Sequence, residues 1–197
     1  MQVVDREGLY NAIDLLADSL VPFFAKRPKA AMVAIARGGV VLAHHLQSRL
    51  SERLGFDVPL GILDITLYRD DLYSGLELPI LGQSSIPFQL EDRSLVLVDD
   101  VLFTGRTVRA ALQELYDFGR PRSVQLAVLV DRGQRELPIQ ADWVPLKMTV
   151  KKSDKVQVLL NRPNGTLIPQ DGSLESGLSL SDATQKSTAE GIFISTR

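Results

Sequence analysis

Residues 94–107 read SLVLVDDVLFTGRT, and the order of residue types in that stretch decides the fold. SLVLV is a short apolar run rich in valine, the pattern of a buried strand. It ends on two acids, Asp99 and Asp100. VLFTGR then makes a short loop. A helix is predicted to open near Thr107, with Val108, Ala111, Leu112, Leu115 and Tyr116 on one face. Gly119 stands where a helix-ending glycine belongs, and Pro121 follows. Residues 124–130 (VQLAVLV) form the next apolar strand, ending at Asp131. Strands apolar throughout, joined by a helix, predict a mostly parallel central sheet with helices on both faces.

The flanks extend the pattern. Leu9, Ile13, Leu16, Ala17 and Leu20 recur at helical spacing over residues 5–21, with Pro22 expected to end the run. Residues 30–36 (AAMVAIA) predict a buried strand stopped by Arg37, Gly38 and Gly39. Residues 40–54 predict a helix capped by Gly55, and residues 58–68 and 155–160 read as extended. Residues 69–89 read as a long loop, which inside a compact domain is usually a functional lid. The expected organisation is a domain over 1–160 and a flexible Ser/Gly-rich tail over 161–197, with GIFIS near its end as a docking candidate. Removal of residues 165–197 is then expected to leave the affinity for a ligand bound at the motifs below within a factor of a few.

Composition bounds the function. The chain has 197 residues, 45% hydrophobic and 23% charged, which excludes full-length disorder. A net charge of −2 argues against nucleic-acid binding through overall basicity. The absence of cysteine excludes disulfides and thiolate chemistry. His44 and His45 are adjacent and are read as solvated on an exposed helix. No apolar run spans a bilayer, and MQVVDREGLY lacks the layout of a secretion signal, so a cytoplasmic chain without membrane contact is expected. Trp143 reads as core or interface. Lys147, Lys151, Lys152 and Lys155 read as a solvated strand edge.

The chemistry sits at the end of the first strand. In a parallel α/β sheet, ligands bind outside the carboxyl ends of the strands. There Asp99 and Asp100 can accept hydrogen bonds from the hydroxyls of a sugar, or hold Mg²⁺. Thr104, Gly105 and Thr107 at a helix start make an anion cradle suited to a phosphate monoester. Carboxylates for a diol and a cradle for a phosphate, about five residues apart, describe a ribose 5-phosphate site. Neither a Walker Gly-Lys-Ser/Thr nor a Rossmann Gly-x-Gly-x-x-Gly is present.

LVLVDDVLFTGRT resembles the phosphoribosyl-pyrophosphate (PRPP) loop of type I phosphoribosyltransferases. IARGGVVLAHHL, DITLYRDDL, VDDVLFTGRTVRAAL, GRPRSVQLAVLVDRGQRELPIQAD and KSDKV resemble the PyrR group, bifunctional pyrimidine-operon attenuators with uracil phosphoribosyltransferase activity. The resemblance covers roughly residues 8–160. It implies the type I phosphoribosyltransferase fold with a mobile hood loop, Mg²⁺ as cofactor, PRPP with uracil and UMP as ligands, and a homo-oligomer. Asp99 and Asp100 resemble the pair that binds ribose hydroxyls and metal. Val101, Leu102 and Phe103 fall on the PRPP loop as substrate-binding residues, and Thr104, Gly105, Arg106 and Thr107 resemble its 5-phosphate segment. Ala36, Arg37 and Gly38 match the pyrophosphate loop, and Arg69 lies in the hood. Asp99, Asp100 and Arg37 are the expected catalytic residues. Phe103 stands where enzymes for 6-oxopurines carry an aspartate, which favours a pyrimidine.

Departures from the group are visible too. Ala36 replaces a hydroxyl residue, and residues 145–151 (PLKMTVK) replace the group's loop over the base. That second change motivates an alternative function, a PRPP- or nucleotide-sensing regulator with little turnover. The resemblance also implies messenger-RNA leader binding through the first helix and residues 134–147. Asp14, Asp18, Gln134, Gln140 and Leu146 depart from the basic face this needs, and only Arg135, Lys147 and Lys151 favour it.

Overall fold

The computed structural model describes residues 1–36, 38–65, 84–161, 163 and 190–195. Along the chain run β1 (Gln2–Val4), α1 (Arg6–Ala25), β2 (Ala31–Ile35), α2 (Gly38–Leu54), β3 (Leu60–Leu63), β4 (Ser94–Leu102), α3 (Arg106–Asp117), β5 (Ser123–Asp131), β6 (Leu146–Lys147), β7 (Lys155–Leu159) and β8 (Gly191–Ser195). Five strands hydrogen-bond in the order β3-β2-β4-β5-β6, every pair parallel. The two-residue period of the strands sends Met32, Ala34, Val96 and Val98 toward α1 and α2. Ala31, Val33, Ile35, Leu95 and Leu97 face α3 on the other side. The expected two-sided α/β sheet is therefore the observed one.

Several local expectations are corrected. α1 continues through Pro22 to Ala25. The ring sits at an exposed position, while Phe23 and Phe24 just beyond it are buried and Phe23 meets Trp143 edge-on. Core burial outweighs the one backbone bond that proline removes. β4 does not stop at Val98. Its pairing with β5 carries on to Leu102 opposite Asp131, so both acids lie within the strand. On α3, Tyr116 is exposed and Glu114 takes the buried face, because a residue one step past Leu115 is turned about 100° away. His45 is buried rather than solvated. Its Nε2 bonds the Asn161 carbonyl at 2.6 Å and its ring meets Tyr10 edge-on.

A second sheet, order β1-β8-β7 and antiparallel throughout, changes the reading of the tail. GIFIS is its central strand. Ile192 is fully buried, and the amino group of Met1 donates to the Ile194 carbonyl at 2.7 Å. Glu190, itself buried, accepts from Arg6 Nε at 2.9 Å, from the Tyr10 hydroxyl at 3.0 Å and from the Asn161 N–H at 3.0 Å. Residues 190–195 thus belong to the folded domain that the expected boundary at 160 closed too early. The rest of the expected tail, save 161 and 163, and residues 69–83 of the loop expected over 69–89 lie outside the described residues. Among the described residues no helix is long and apolar enough to cross a membrane.

Candidate functional site

β2 ends at Ile35 while β4 runs on past it, so the carboxyl edge of the sheet has a step. Asp99 and Asp100 occupy that step. Asp99 Oδ1 accepts the Asp100 N–H at 2.9 Å, and Asp100 Oδ1 accepts the Val101 N–H at 2.8 Å. Burial pushes the Asp100 carboxyl above the ordinary carboxylate range, opposed by Asp99 and by the Val101 N–H. α2 begins directly opposite. A Cβ on Gly38 would collide with the Asp100 carboxyl, and one on Gly39 with the Val98 carbonyl. Only glycine lets the helix start this close to β4.

Two adjacent carboxylates, Asp99 buried and Asp100 half-buried, fit a hard divalent cation. Mg²⁺ is commonly held by one or two carboxylates and completed by substrate oxygens. Among the described residues no group of three or more His, Cys, Asp or Glu forms a self-sufficient cage. Two carboxylates suit a cation whose other positions are filled by oxygens from outside the protein.

Beyond Leu102 the chain turns through Phe103, Thr104 and Gly105 into α3. Gly105 has φ of +93°, the left-handed region that favours glycine, and as N-cap it offers no side chain to the first-turn amides. The Arg106 N–H reaches Thr104 Oγ1 at 3.3 Å. No acid lies in the first turn, while Arg106 and Arg109 place cations at the positive end of the helix. Glu136 offsets Arg106, and the positive end of the helix with Arg109 still suits a further anion.

The structure thus brings Ala36, Gly38, Asp99, Asp100 and residues 101–107 to one edge, with Ala36 half-buried and its N–H on the Leu63 carbonyl at 2.8 Å. Arg37 and Arg69 lie outside the described residues. Residues 131–139 form the floor of the turn, which sequence reasoning missed. Arg106 Nε pairs with Glu136 at 2.8 Å. Arg132, buried, stacks its guanidinium over Phe103 at 4.0 Å and donates to the carbonyls of Lys151 and Asp154. Gln134 donates to the Val150 carbonyl at 2.6 Å.

The phosphoribosyl transferase domain model matches residues 4–159. The chain belongs to this family. Within it, the chain is 53% identical over 163 residues to the bifunctional protein PyrR of Deinococcus deserti, covering 83% of this chain and 89% of the relative. To the PyrR of Deinococcus radiodurans it is 46% identical over 164 residues, 83% and 90% covered. The chain is therefore a phosphoribosyltransferase of the PyrR group, as its motifs led one to expect. The fold is also that of a hypoxanthine phosphoribosyltransferase from Staphylococcus aureus, with TM-score 0.59 at 19% identity over 79% of this chain and 80% of that one.

Proposed function

We propose that the chain transfers the phosphoribosyl group of PRPP to uracil, giving UMP and pyrophosphate. The bond from the anomeric carbon to pyrophosphate oxygen breaks, a bond to uracil N1 forms, and N1 gives up its proton. The observation that carries this reading is the stepped sheet edge. It sets Asp99 and Asp100 beside the glycine start of α2 and one turn ahead of an uncapped, arginine-bearing helix start. In this reading Asp99 and Asp100 orient the ribose hydroxyls. Thr104 to Thr107 hold the 5-phosphate against the open amides of α3. Ala36, Arg37 and Gly38 receive the pyrophosphate, and Arg69 approaches it from the hood. Asp99 and Asp100 would also hold Mg²⁺, which supplies charge neutralisation where negative charge builds on the leaving group. Phe103, with no acid to serve a purine nitrogen, supports a pyrimidine acceptor.

The test is an assay of PRPP with uracil and, separately, with hypoxanthine, guanine and adenine. UMP formation with uracil alone is expected. Turnover with a purine and none with uracil would overturn the assignment.

A second reading, PRPP or nucleotide sensing with little turnover, draws on residues 145–151. The carbonyls of Val150 and Lys151 already accept from Gln134 and Arg132, which leaves them less open to a base. PRPP binding by calorimetry without turnover on any base would favour it. The leader-RNA partner and the dimer or larger assembly implied by the resemblance stay with this proposal, to be read by filter binding and light scattering.

A further inference from the structure

The guanidinium of Arg135 is spent on four acceptors inside the molecule. Nη2 pairs with Asp131 Oδ2 at 2.6 Å, and Nε donates to the Ile139 carbonyl at 2.8 Å. Nη1 donates to the Phe103 carbonyl at 2.7 Å and the Gly133 carbonyl at 3.2 Å. The side chain is only 21% exposed. Phe103 immediately precedes the phosphate turn, and the next carbonyl, that of Thr104, accepts the N–H groups of Glu136 (2.9 Å) and Leu137 (3.1 Å). Ile139 and Leu137 also stand against Gly105. Both carbonyls leading into the turn are therefore fixed by the segment that Arg135 folds.

We propose that Arg135 is a positioning residue for the ribose 5-phosphate turn, setting the direction of the Thr104–Thr107 amides through the Phe103 carbonyl. The inference rests on the phosphoribosyl reading above. It reassigns an arginine that the resemblance placed on an RNA face, because a guanidinium with these acceptors has little left to offer a phosphate outside the fold. A planar fork with fixed donor directions suits four acceptors at once, which an ammonium cannot match. Asp131, whose carboxyl burial pushes up and Arg135 pulls below the usual range, anchors the fork from the end of β5.

The test compares two ligands that use different ends of the site. Calorimetry with Mg²⁺ present measures ribose 5-phosphate and pyrophosphate separately on the full chain and on Arg135→Gln and Arg135→Lys. Loss of a charged hydrogen bond at the turn is expected to weaken ribose 5-phosphate about tenfold in Arg135→Gln, and less in Arg135→Lys. Pyrophosphate should stay within roughly twofold, since its loop lies across the sheet edge. In turnover, KM for PRPP should rise far more than kcat falls. Unchanged ribose 5-phosphate affinity, or equal loss for both ligands, overturns the inference. If Arg135→Gln does not fold, Asp131→Asn, which loosens the same fork, must show the selective loss, and its failure to do so is equally decisive. A wild-type chain that binds neither ribose 5-phosphate nor PRPP sinks the phosphoribosyl reading, and the inference falls with it.

Discussion

Gly38 and Asp100 are in such close opposition that no side chain fits between them: a Cβ on Gly38 would fall within the Asp100 carboxyl. The start of α2 and the end of β4 are thus one unit, and the RGG triplet is read twice, as a turn and as clearance. Gly38→Ala should therefore turn or expel Asp100 and lower kcat at least ~100-fold, while overpacking costs about 1–3 kcal/mol of stability. Gly39→Ala meets the rigid Val98 carbonyl instead and should destabilise more than Gly38→Ala. Thermal melts beside steady-state rates on both variants check the order.

The aspartate pair is expected to matter for chemistry more than for folding. Asp99→Asn combined with Asp100→Asn keeps the shape of both side chains while removing their charge. Turnover should be abolished, with the circular dichroism spectrum unchanged. Normal turnover in the double variant would remove these residues from the site.

β8 makes a different demand. Glu190 and Ile192 are buried, and β1 and β7 pair only through the strand between them. Burial of one isoleucine contributes about 2–3 kcal/mol, and the Glu190 bonds add to it. A chain ending at residue 189 should accordingly melt roughly 10 °C lower, taking ~2–4 °C per kcal/mol at this length. The stretch from residue 165 is therefore expected to matter for stability, whatever its removal does to ligand affinity. A melt unchanged on truncation would show that β8 contributes nothing.

How far the sequence carried the reading depended on where the signal is local. SLVLVDDVLFTGRT specifies strand, turn and helix from its own residues, so the sheet and the phosphate turn were legible. GIFIS is too short to announce a partner, and β1 is shorter still; their sheet exists because distant segments meet. Pro22 misled because its stop signal is local, whereas Phe23, read as core, and Phe24 carry the helix on by burial against distant elements. The role of Arg135 had no sequence signature at all, since three of its four acceptors are backbone carbonyls brought to it by the fold.

His45 makes the domain sensitive to acid. Burial lowers its pKa, the Asn161 carbonyl opposes that, Arg49 adds to it and Glu190 opposes it, with the net shift downward. A histidine depressed in the folded state contributes stability above its unfolded value of about 6.5, and that stability is lost as pH falls through the folded value. The melting temperature should therefore drop as pH falls below about 6.5. His45→Gln, whose amide can still donate to Asn161, should flatten that limb while leaving the melt at pH 8 nearly unchanged. An identical acid limb in wild type and variant would assign the loss to other groups.

The acids of α1 lead to the last prediction. Read from sequence, Asp14 and Asp18 stand as bare repulsion on a face meant for phosphates. In the structure they pair with α2: Arg49 Nε meets Asp14 at 2.8 Å, Arg53 Nη2 meets Asp14 at 3.2 Å, and Arg53 Nε meets Asp18 at 2.6 Å. Burial pushes the Asp14 carboxyl up, but the two arginines outweigh it and hold it below the usual range. Two acids and two arginines cancel, so this face neither strongly repels nor attracts a polyanion. Wild-type chain should bind a pyrimidine-operon leader RNA weakly at ~0.1 M salt, without stimulation by UMP. Asp14→Asn with Asp18→Asn releases both arginines, and each new phosphate contact should steepen the slope of log affinity against log salt by about 0.7. Filter binding across a salt series reads both quantities. Tight, UMP-stimulated, sequence-specific binding by the wild type would show that RNA is held through other residues, and an unchanged slope in the variant would show that the arginines do not face solvent phosphate once freed.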